Sequence, residues 1–218
     1  MQSLKFDKIK KVLCLGAHSD DIEIGCGGTL LKLVRETPDL DVRWIVFSAG
    51  GRRTLEAQRS ARDFLRNAGR KKIVVKQFRN SFFPFEGQKI KEFFETLKSF
   101  DPDLVFTHYR EDRHQDHRLL SDLAWNTFRN HVILEYEIPK YDGDLGSPNC
   151  FMPLDEATCR RKVQWITDVF QTQKSHRWFT SETFFSLMRL RGIESGASSG
   201  YAEAFFCRKA VFDMTSGA

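Results

Sequence analysis

Short runs rich in valine, isoleucine and leucine alternate along this sequence with segments that carry apolar residues at helical spacing. Residues 11–16, 42–48, 73–78, 104–108 and 132–137 favour strands. Residues 27–36, 55–65, 89–97 and 117–129 favour helices. This alternation predicts a doubly wound α/β fold, in which a mostly parallel sheet has helices on both faces and right-handed crossovers.

The last third of the chain is less regular. Residues 140–155 contain glycines and prolines without a period, which predicts a surface loop or a short hairpin. Helices are expected over 157–170 and 182–189, a mobile Gly/Ser-rich segment over 193–200, and a last strand over 202–207. Because 218 residues without an internal repeat or linker fit one ordinary domain, we expect a single domain over 1–218.

Composition narrows the function classes. The opening residues lead into an apolar run too short for a secretion signal or a membrane span, so a cytoplasmic location is expected. The five cysteines form no Cys-x-x-Cys pair, which indicates reduced thiols. A net charge of +5 permits nucleic-acid binding, but no basic stripe with interleaved aromatics supports that partner. Homo-oligomerisation stays open.

Two clusters of histidines and carboxylates follow predicted strands 11–16 and 104–108, where ligands bind in such sheets. The clusters contain His18, Asp20, Asp21, His114, Asp116 and His117. Imidazole and carboxylate are the ligands of zinc in hydrolytic sites, and a cation relieves the repulsion between adjacent carboxylates. A metal site that joins the clusters is predicted, whereas His108, taken alone, is more typical of a structural histidine.

Two other features admit more than one interpretation. The run Gly25-Cys26-Gly27-Gly28 lacks the spacing of a nucleotide-binding loop and favours close packing of the turn behind the ligands. The sequence contains two clusters of arginines, which indicate either an anionic substrate or a solvated basic face. They are Arg52, Arg53, Arg59 and Arg62, and then Arg110, Arg113 and Arg118.

Several motifs together resemble the PIG-L/LmbE-like N-acetylglucosaminyl deacetylases. They are AHSDD and GCGGT (17–21 and 25–29), PDLVFTH (102–108) and HQDHR (114–118), with weaker likeness over 53–65 and 201–205. The chain departs from the commonest pattern at Ser19 and Gln115, where proline is usual. Neither position is a ligand, so the departures affect only the rigidity of the turns.

The resemblance implies a zinc-dependent removal of an acetyl group from an N-acetylated sugar or sugar conjugate, which the arginines would allow to be anionic. One Zn²⁺ per chain would be held by His18, Asp21 and His117, with Asp20 as general base. His114 would be a protonated partner of the substrate carbonyl, and Asp116 would hold it. On the same grounds Arg53, or failing it Arg59, would contact substrate, and Tyr201 would help to stabilise the oxyanion.

Two rivals remain. Two histidines and one carboxylate also hold non-haem iron in oxygenases, although that resemblance does not come with this β/α pattern. A carbohydrate-binding protein that kept the fold and lost its activity is the other rival. Retention of the whole set of site residues argues against such decay.

Overall fold

The computed structural model describes residue 6 and residues 9–211, and in this part of the chain seven strands form one sheet. The strands are β1 (Lys11–Gly16), β2 (Asp41–Val46), β3 (Arg70–Val75), β4 (Leu104–His108), β5 (Val132–Tyr136), β6 (Cys150–Pro153) and β7 (Ala202–Cys207). Their order across the sheet is β3-β2-β1-β4-β5-β7-β6.

The first five strands pair in parallel, with β1 hydrogen-bonded between β2 and β4. Strand β7 is present where it was predicted, but it runs antiparallel between β5 and β6. Strand β6 lies inside the segment predicted as a loop or hairpin, and it ends at Pro153 on the edge of the sheet, where a missing N–H is tolerated. The predicted mostly parallel α/β sheet is confirmed.

Six helices cover the sheet in the described residues. They are α1 (Asp21–Glu36), α2 (Arg52–Phe64), α3 (Gly87–Leu97), α4 (Gln115–Thr127), α5 (Glu156–Val169) and α6 (Ser181–Ser195). Side chains of β1 alternate between two cores: Val12 and Cys14 pack on the side of α1, α2, α5 and α6, and Leu13 and Leu15 on the side of α3 and α4. Among the described residues, none of the helices combines the length and the hydropathy that crossing a bilayer requires.

Two helices differ from the prediction in ways that matter for the site. Helix α1 begins at Asp21, so the glycine-rich run lies inside a helix and not in a turn. The helix is broken at Cys26, whose φ of −141° and ψ of 15° are non-helical. Helix α6 continues to Ser195 and ends at Gly196 in the left-handed conformation, so the predicted Gly/Ser-rich mobile segment is partly helical.

Candidate active site

The two histidine-carboxylate clusters meet at the carboxyl edge of the sheet. Strands β1 and β4 are parallel neighbours, so the loops that follow them start side by side. The first loop ends at Asp20, which precedes α1, and the second at His114, which precedes α4. The topology therefore brings together two segments that are about a hundred residues apart in sequence, as predicted.

Three side-chain atoms at this edge form a compact triangle. His18 Nδ1 lies 3.1 Å from His117 Nε2 and 3.3 Å from Asp21 Oδ2, and the latter two atoms are 3.5 Å apart. All three residues are buried. Ligand atoms 2.0–2.1 Å from a tetrahedral zinc ion lie roughly 3.3–3.4 Å from one another. The triangle therefore fits one face of such a coordination shell, and its donor set of two imidazoles and a carboxylate suits zinc.

Asp112 orients His117, a role that was not predicted. Its Oδ2 lies 2.9 Å from His117 Nδ1 and 3.0 Å from Lys140 Nζ, and the carboxylate is buried. Metal-binding histidines commonly donate their second N–H to a carboxylate, which fixes the tautomer and leaves the other nitrogen free. Here Nε2, which points into the triangle, is the free nitrogen.

His108 also borders the triangle but has a different role. The fully buried ring stacks on His117 with centroids 3.9 Å apart, and its Nε2 accepts the backbone N–H of Ala17 at 2.9 Å. Its Nε2 is 3.3 Å from Asp21 Oδ2, so Asp21, His108 and His117 form an alternative ligand set by distance. Because the Nε2 lone pair already takes the Ala17 N–H, His108 fits the structural role expected of it.

The pKa shifts follow from burial and from the charges in the cluster. Burial lowers the pKa of His18, but Asp21 and Asp116 outweigh it and raise that pKa to about 9. Burial raises the pKa of Asp21, but His117, His108 and His18 reverse this and hold it well below its usual range. Burial, with His108 beside it, lowers the pKa of His117 to about 3. Asp21 is thus ionised and His117 neutral, which are the forms that bind metal, whereas His18 carries a proton that a bound metal would displace.

Asp20 is buried beside the triangle with an unused oxygen. It precedes the first helical residue of α1 but makes no capping hydrogen bond with its side chain. Its Oδ2 is buried and has no hydrogen-bond partner among the described residues. Burial and the neighbouring Asp21 raise its pKa to about 6, although Arg53 opposes the shift. Asp20 therefore presents a free acceptor next to the candidate metal ligands.

His114 and Asp116 differ from their predicted relationship. His114 Nδ1 accepts the backbone N–H of Asp116 at 3.2 Å, so the neutral ring carries its proton on Nε2. Its ring lies 4.8 Å from that of His18 and 4.6 Å from that of His117. Burial and the charge of His18 lower the pKa of His114, which disfavours the protonated form that was expected.

The carboxylate of Asp116 contacts His18 and not His114. Its Oδ2 lies 3.3 Å from His18 Nε2, and its oxygens accept the backbone N–H groups of Ser81 and Phe83 at 2.7 and 3.1 Å. Asp116 thus fixes the ring of His18 and holds the segment after β3 against the site. Asp116 meets His114 through its backbone N–H, while its carboxylate contacts His18.

The predicted substrate contacts lie in different places. Arg53 is half-buried, donates from Nε to Ser19 Oγ at 3.1 Å, and lies 3.7 Å from Asp20 Oδ1. Arg59 is exposed further along α2. The ring of Tyr201 packs against Phe185 on α6, 6.2 Å between centroids, so the structure gives Tyr201 a contact with α6 where one with the oxyanion was expected.

The second group of arginines is largely engaged within the protein. Arg118 donates to the carbonyl oxygen of Asp112 at 2.9 Å. Arg110 lies 3.5 Å from the buried carboxylate of Glu135 and over the ring of Trp125. These contacts argue against an anion-binding role for Arg110 and Arg118.

Comparison with known protein families gives a match for this chain. Residues 13–128, more than half of the chain, match the family described as "PIG-L: GlcNAc-PI de-N-acetylase". The chain belongs to the PIG-L family. The resemblance inferred from the sequence motifs is thereby confirmed.

Two relatives of this PIG-L chain are deacetylases by name. It is 27% identical over 143 residues to the uncharacterized deacetylase YaiS of Escherichia coli K12, covering 61% of this chain and 76% of that protein. It is 29% identical over 127 residues to the diacetylchitobiose deacetylase of Thermococcus kodakarensis, covering 52% of this chain and 47% of that enzyme. The second match thus spans about half of that enzyme.

Solved structures share the fold at lower identity. The N,N'-diacetylchitobiose deacetylase of Pyrococcus horikoshii has a TM-score of 0.70 at 23% identity, covering 92% of this chain and 84% of that one. GalB, the 4-carboxy-2-hydroxymuconate hydratase of Pseudomonas putida KT2440, has a TM-score of 0.71 at 15% identity, covering 96% and 100%. Because enzymes with different reactions share this fold, function has to be argued from the site.

Proposed function

We propose that this PIG-L chain is a zinc-dependent deacetylase that hydrolyses the acetamido group of an N-acetylated sugar or sugar conjugate. One ion per chain would be held by His18, Asp21 and His117. The observation that carries the proposal is the triangle of these three ligand atoms, with sides of 3.1, 3.3 and 3.5 Å, beside an unpartnered oxygen of Asp20.

The chain's own residues prepare this site for hydrolysis. Asp112 and Asp116 orient His117 and His18, so that one nitrogen of each ring faces the triangle. A bound Zn²⁺ would lower the pKa of water to about 7 and polarise the amide carbonyl. Asp20, whose Oδ2 is free, is the group placed to remove a proton from the attacking water.

Charge that develops on the carbonyl oxygen requires a donor, and His114 supplies one. Its Nδ1 accepts a backbone N–H, so Nε2 donates in the neutral ring. One such donor contributes on the order of 3–4 kcal/mol to a transition state of this kind. A neutral His114 performs this role without the protonation that was first expected, and Asp20, once it has received the proton, protonates the leaving amine.

Arg53 is our candidate for a substrate contact. Its guanidinium lies 3.7 Å from Asp20 Oδ1, close enough to the proposed general base for a contact with bound substrate. The assignment of a sugar as substrate draws on the relative named diacetylchitobiose deacetylase and on the family description. A small N-acetylated sugar is therefore the first substrate class to test.

The test combines metal analysis with release of acetate. A panel of free, phosphorylated and nucleotide-linked N-acetyl sugars, with diacetylchitobiose, is incubated with protein as purified, after chelation and after addition of Zn²⁺. We expect acetate release that chelation abolishes and Zn²⁺ restores. Acetate release that survives complete chelation would contradict the proposal, and iron with oxygen-dependent turnover would favour the oxygenase.

The ligand assignment has its own variant and control. His117→Ala should retain the fold and lose zinc, because it removes one corner of the triangle. His131→Ala is the matched control, since His131 also pairs with an aspartate, Asp101 at 3.2 Å, but lies outside the site. Full zinc occupancy in His117→Ala excludes His117 as a ligand.

A further inference from the structure

The break in α1 exposes backbone donors that a carboxylate from another part of the chain satisfies. At Cys26 the helix leaves helical dihedrals and then resumes. Glu203, at the start of β7, accepts the N–H of Gly28 through Oε1 at 2.7 Å and the N–H and hydroxyl of Thr29 through Oε2, both at 2.6 Å. An acceptor with negative charge stabilises the start of a helix. Glu203 thus serves as the N-cap of the second part of α1.

Lys162 on α5 connects this cap to the first part of α1. Its Nζ donates to the carbonyl oxygen of Ile24 at 2.7 Å and to Glu203 Oε1 at 2.6 Å. Both charged side chains are buried, with residue exposures of 2% for Lys162 and 4% for Glu203. The pair therefore spans the break, with Lys162 holding the turn before it and Glu203 the turn after it.

The part of α1 before the break is the part that carries the candidate active site. It comprises residues 21–25, begins at the proposed ligand Asp21, and follows Asp20 directly. So short a segment is not held by its own hydrogen bonds, because helix nucleation is costly. Its far end presses on Tyr136: a Cβ added to Gly25 would lie 2.2 Å from the Tyr136 ring. The position of Asp20 and Asp21 therefore depends on contacts made at the break.

We infer that Glu203 and Lys162 are positioning residues for the site, which hold the first part of α1 so that Asp20 and Asp21 face His18 and His117. They touch neither substrate nor metal. The arrangement requires glycine at position 28, because a Cβ on Gly28 would lie 2.4 Å from Leu154 and 3.0 Å from Glu203 Oε1. The metal-affinity part of the inference rests on the proposed function, and the structural part does not.

The test compares Glu203→Gln with Glu56→Gln. Glu56 is a matched control, since it is also buried and also accepts a backbone N–H and a hydroxyl, both from Thr172, but it belongs to the junction of α2 with residues 171–173. An amide presents N–H groups where one carboxylate oxygen stood, so each variant loses part of the hydrogen bonding that its glutamate provides. Both variants should therefore have a lower thermal midpoint.

Two local measurements distinguish a role in positioning the first part of α1 from a general contribution to stability. The first is hydrogen exchange of a peptide covering residues 22–30, relative to one covering α4. Glu203→Gln should increase that ratio about tenfold, and Glu56→Gln should leave it unchanged. The second is the dissociation constant for Zn²⁺ by chelator competition, which Glu203→Gln should raise about tenfold, the lower end of the roughly 10–100-fold range for groups that orient metal ligands.

Each outcome decides whether Glu203 positions the site or only stabilises the fold. Equal exchange ratios and equal Zn²⁺ affinities in the two glutamine variants would overturn the inference and leave Glu203 with a merely structural role. If the wild-type chain binds no Zn²⁺, the proposed function fails, and the exchange ratio still decides the positioning role. If Glu203→Gln does not fold, Thr29→Val replaces it, because it keeps both charges and removes one donor. A two- to threefold change in the exchange ratio is then expected, and no change overturns the inference.

Discussion

Two buried clusters of charged side chains contact helix α1, and they differ in how their hydrogen bonds are completed. At the start of the helix, His18 Nδ1, His117 Nε2 and Asp21 Oδ2 face one another within 3.5 Å, and Asp20 Oδ2 has no partner in the described part of the chain. At the break, both oxygens of Glu203 accept hydrogen bonds, and Lys162 donates to two acceptors.

The difference indicates which cluster has a task beyond folding. Buried acceptors without donors cost free energy, and a cation placed between them removes much of that cost. A cluster whose members satisfy one another needs no further partner. Burial and charge alone therefore do not identify the site, because both clusters have them. The distinguishing feature is Asp20 Oδ2, an oxygen without a partner beside two imidazoles and a second carboxylate in the described residues, and three substitutions test this distinction.

The largest effect on turnover is expected from Asp20→Asn. The amide cannot accept a proton from water, so kcat should fall by roughly 10²–10⁴-fold. Because Asp20 is not one of the three ligands, Zn²⁺ content should be unchanged. The thermal midpoint of the metal-free protein should be equal or higher, because the substitution removes a buried carboxylate whose Oδ2 has no hydrogen-bond partner in the described residues. These are measured by acetate release, metal analysis and thermal unfolding.

Asp63→Asn is the control for Asp20→Asn. Asp63 is a half-buried acid on α2 whose ion pair with Arg66, at 3.9 Å, is remote from the site. It should leave kcat as it is. Near-normal turnover by Asp20→Asn would show that the unused oxygen is not the general base, and the contrast between the two clusters would lose its functional meaning.

A smaller effect is expected from Asp112→Asn, which tests whether the contacts around the triangle matter. Loss of the carboxylate weakens the hydrogen bond that orients His117, and such partners are worth roughly 10–100-fold in metal affinity. The dissociation constant for Zn²⁺ should rise by that factor. Asp101→Asn is the control, since Asp101 forms the exposed aspartate–histidine pair with His131 and its φ of 50° suits asparagine. Equal Zn²⁺ affinities would contradict the role of Asp112.

Much of the fold and of the candidate site could be predicted because the signals are local. Apolar runs and helical spacing identify the parallel strands, and the two clusters follow strands that turn out to be neighbours. Adjacent Asp20 and Asp21 stand out as two carboxylates in succession beside a histidine. In such cases the residue type and its position after a strand are enough for the prediction, because the ends of parallel strands meet at one edge of the sheet.

The rest depends on contacts that the sequence does not display. Glu203 lies 175 residues from Gly28, so no pattern within either segment links them. Asp112 stands in a charged run with Glu111 and Arg113, where nothing marks it as the partner of His117. Cys26 lies among Gly25, Gly27 and Gly28, which favour the predicted turn, so the helical segment 21–25 before the break does not show in the sequence. Backbone hydrogen bonds also decide the state of His114, since the donor to its Nδ1 is a main-chain N–H.

The smallest effect is expected where a charge near the site is partly in solvent. Arg53 is held by Ser19 Oγ and stands 3.7 Å from Asp20 Oδ1, with 29% of its side chain exposed. A contact from such a group to substrate is worth about 1 kcal/mol after solvent screening, or roughly fivefold in binding. Arg53→Met should therefore raise KM by about that factor, and more for an anionic substrate than for a neutral one.

Arg59→Met gives the comparison, because Arg59 is on the same helix but exposed. It should change KM by less than about twofold, as solvated surface charges contribute little. Steady-state kinetics of both variants on a neutral and a phosphorylated N-acetyl sugar measure this directly. A larger effect from Arg59 would mean that substrate approaches along the outer face of α2. Substrate would then make its first contact away from the unpaired oxygen of Asp20, and not next to it.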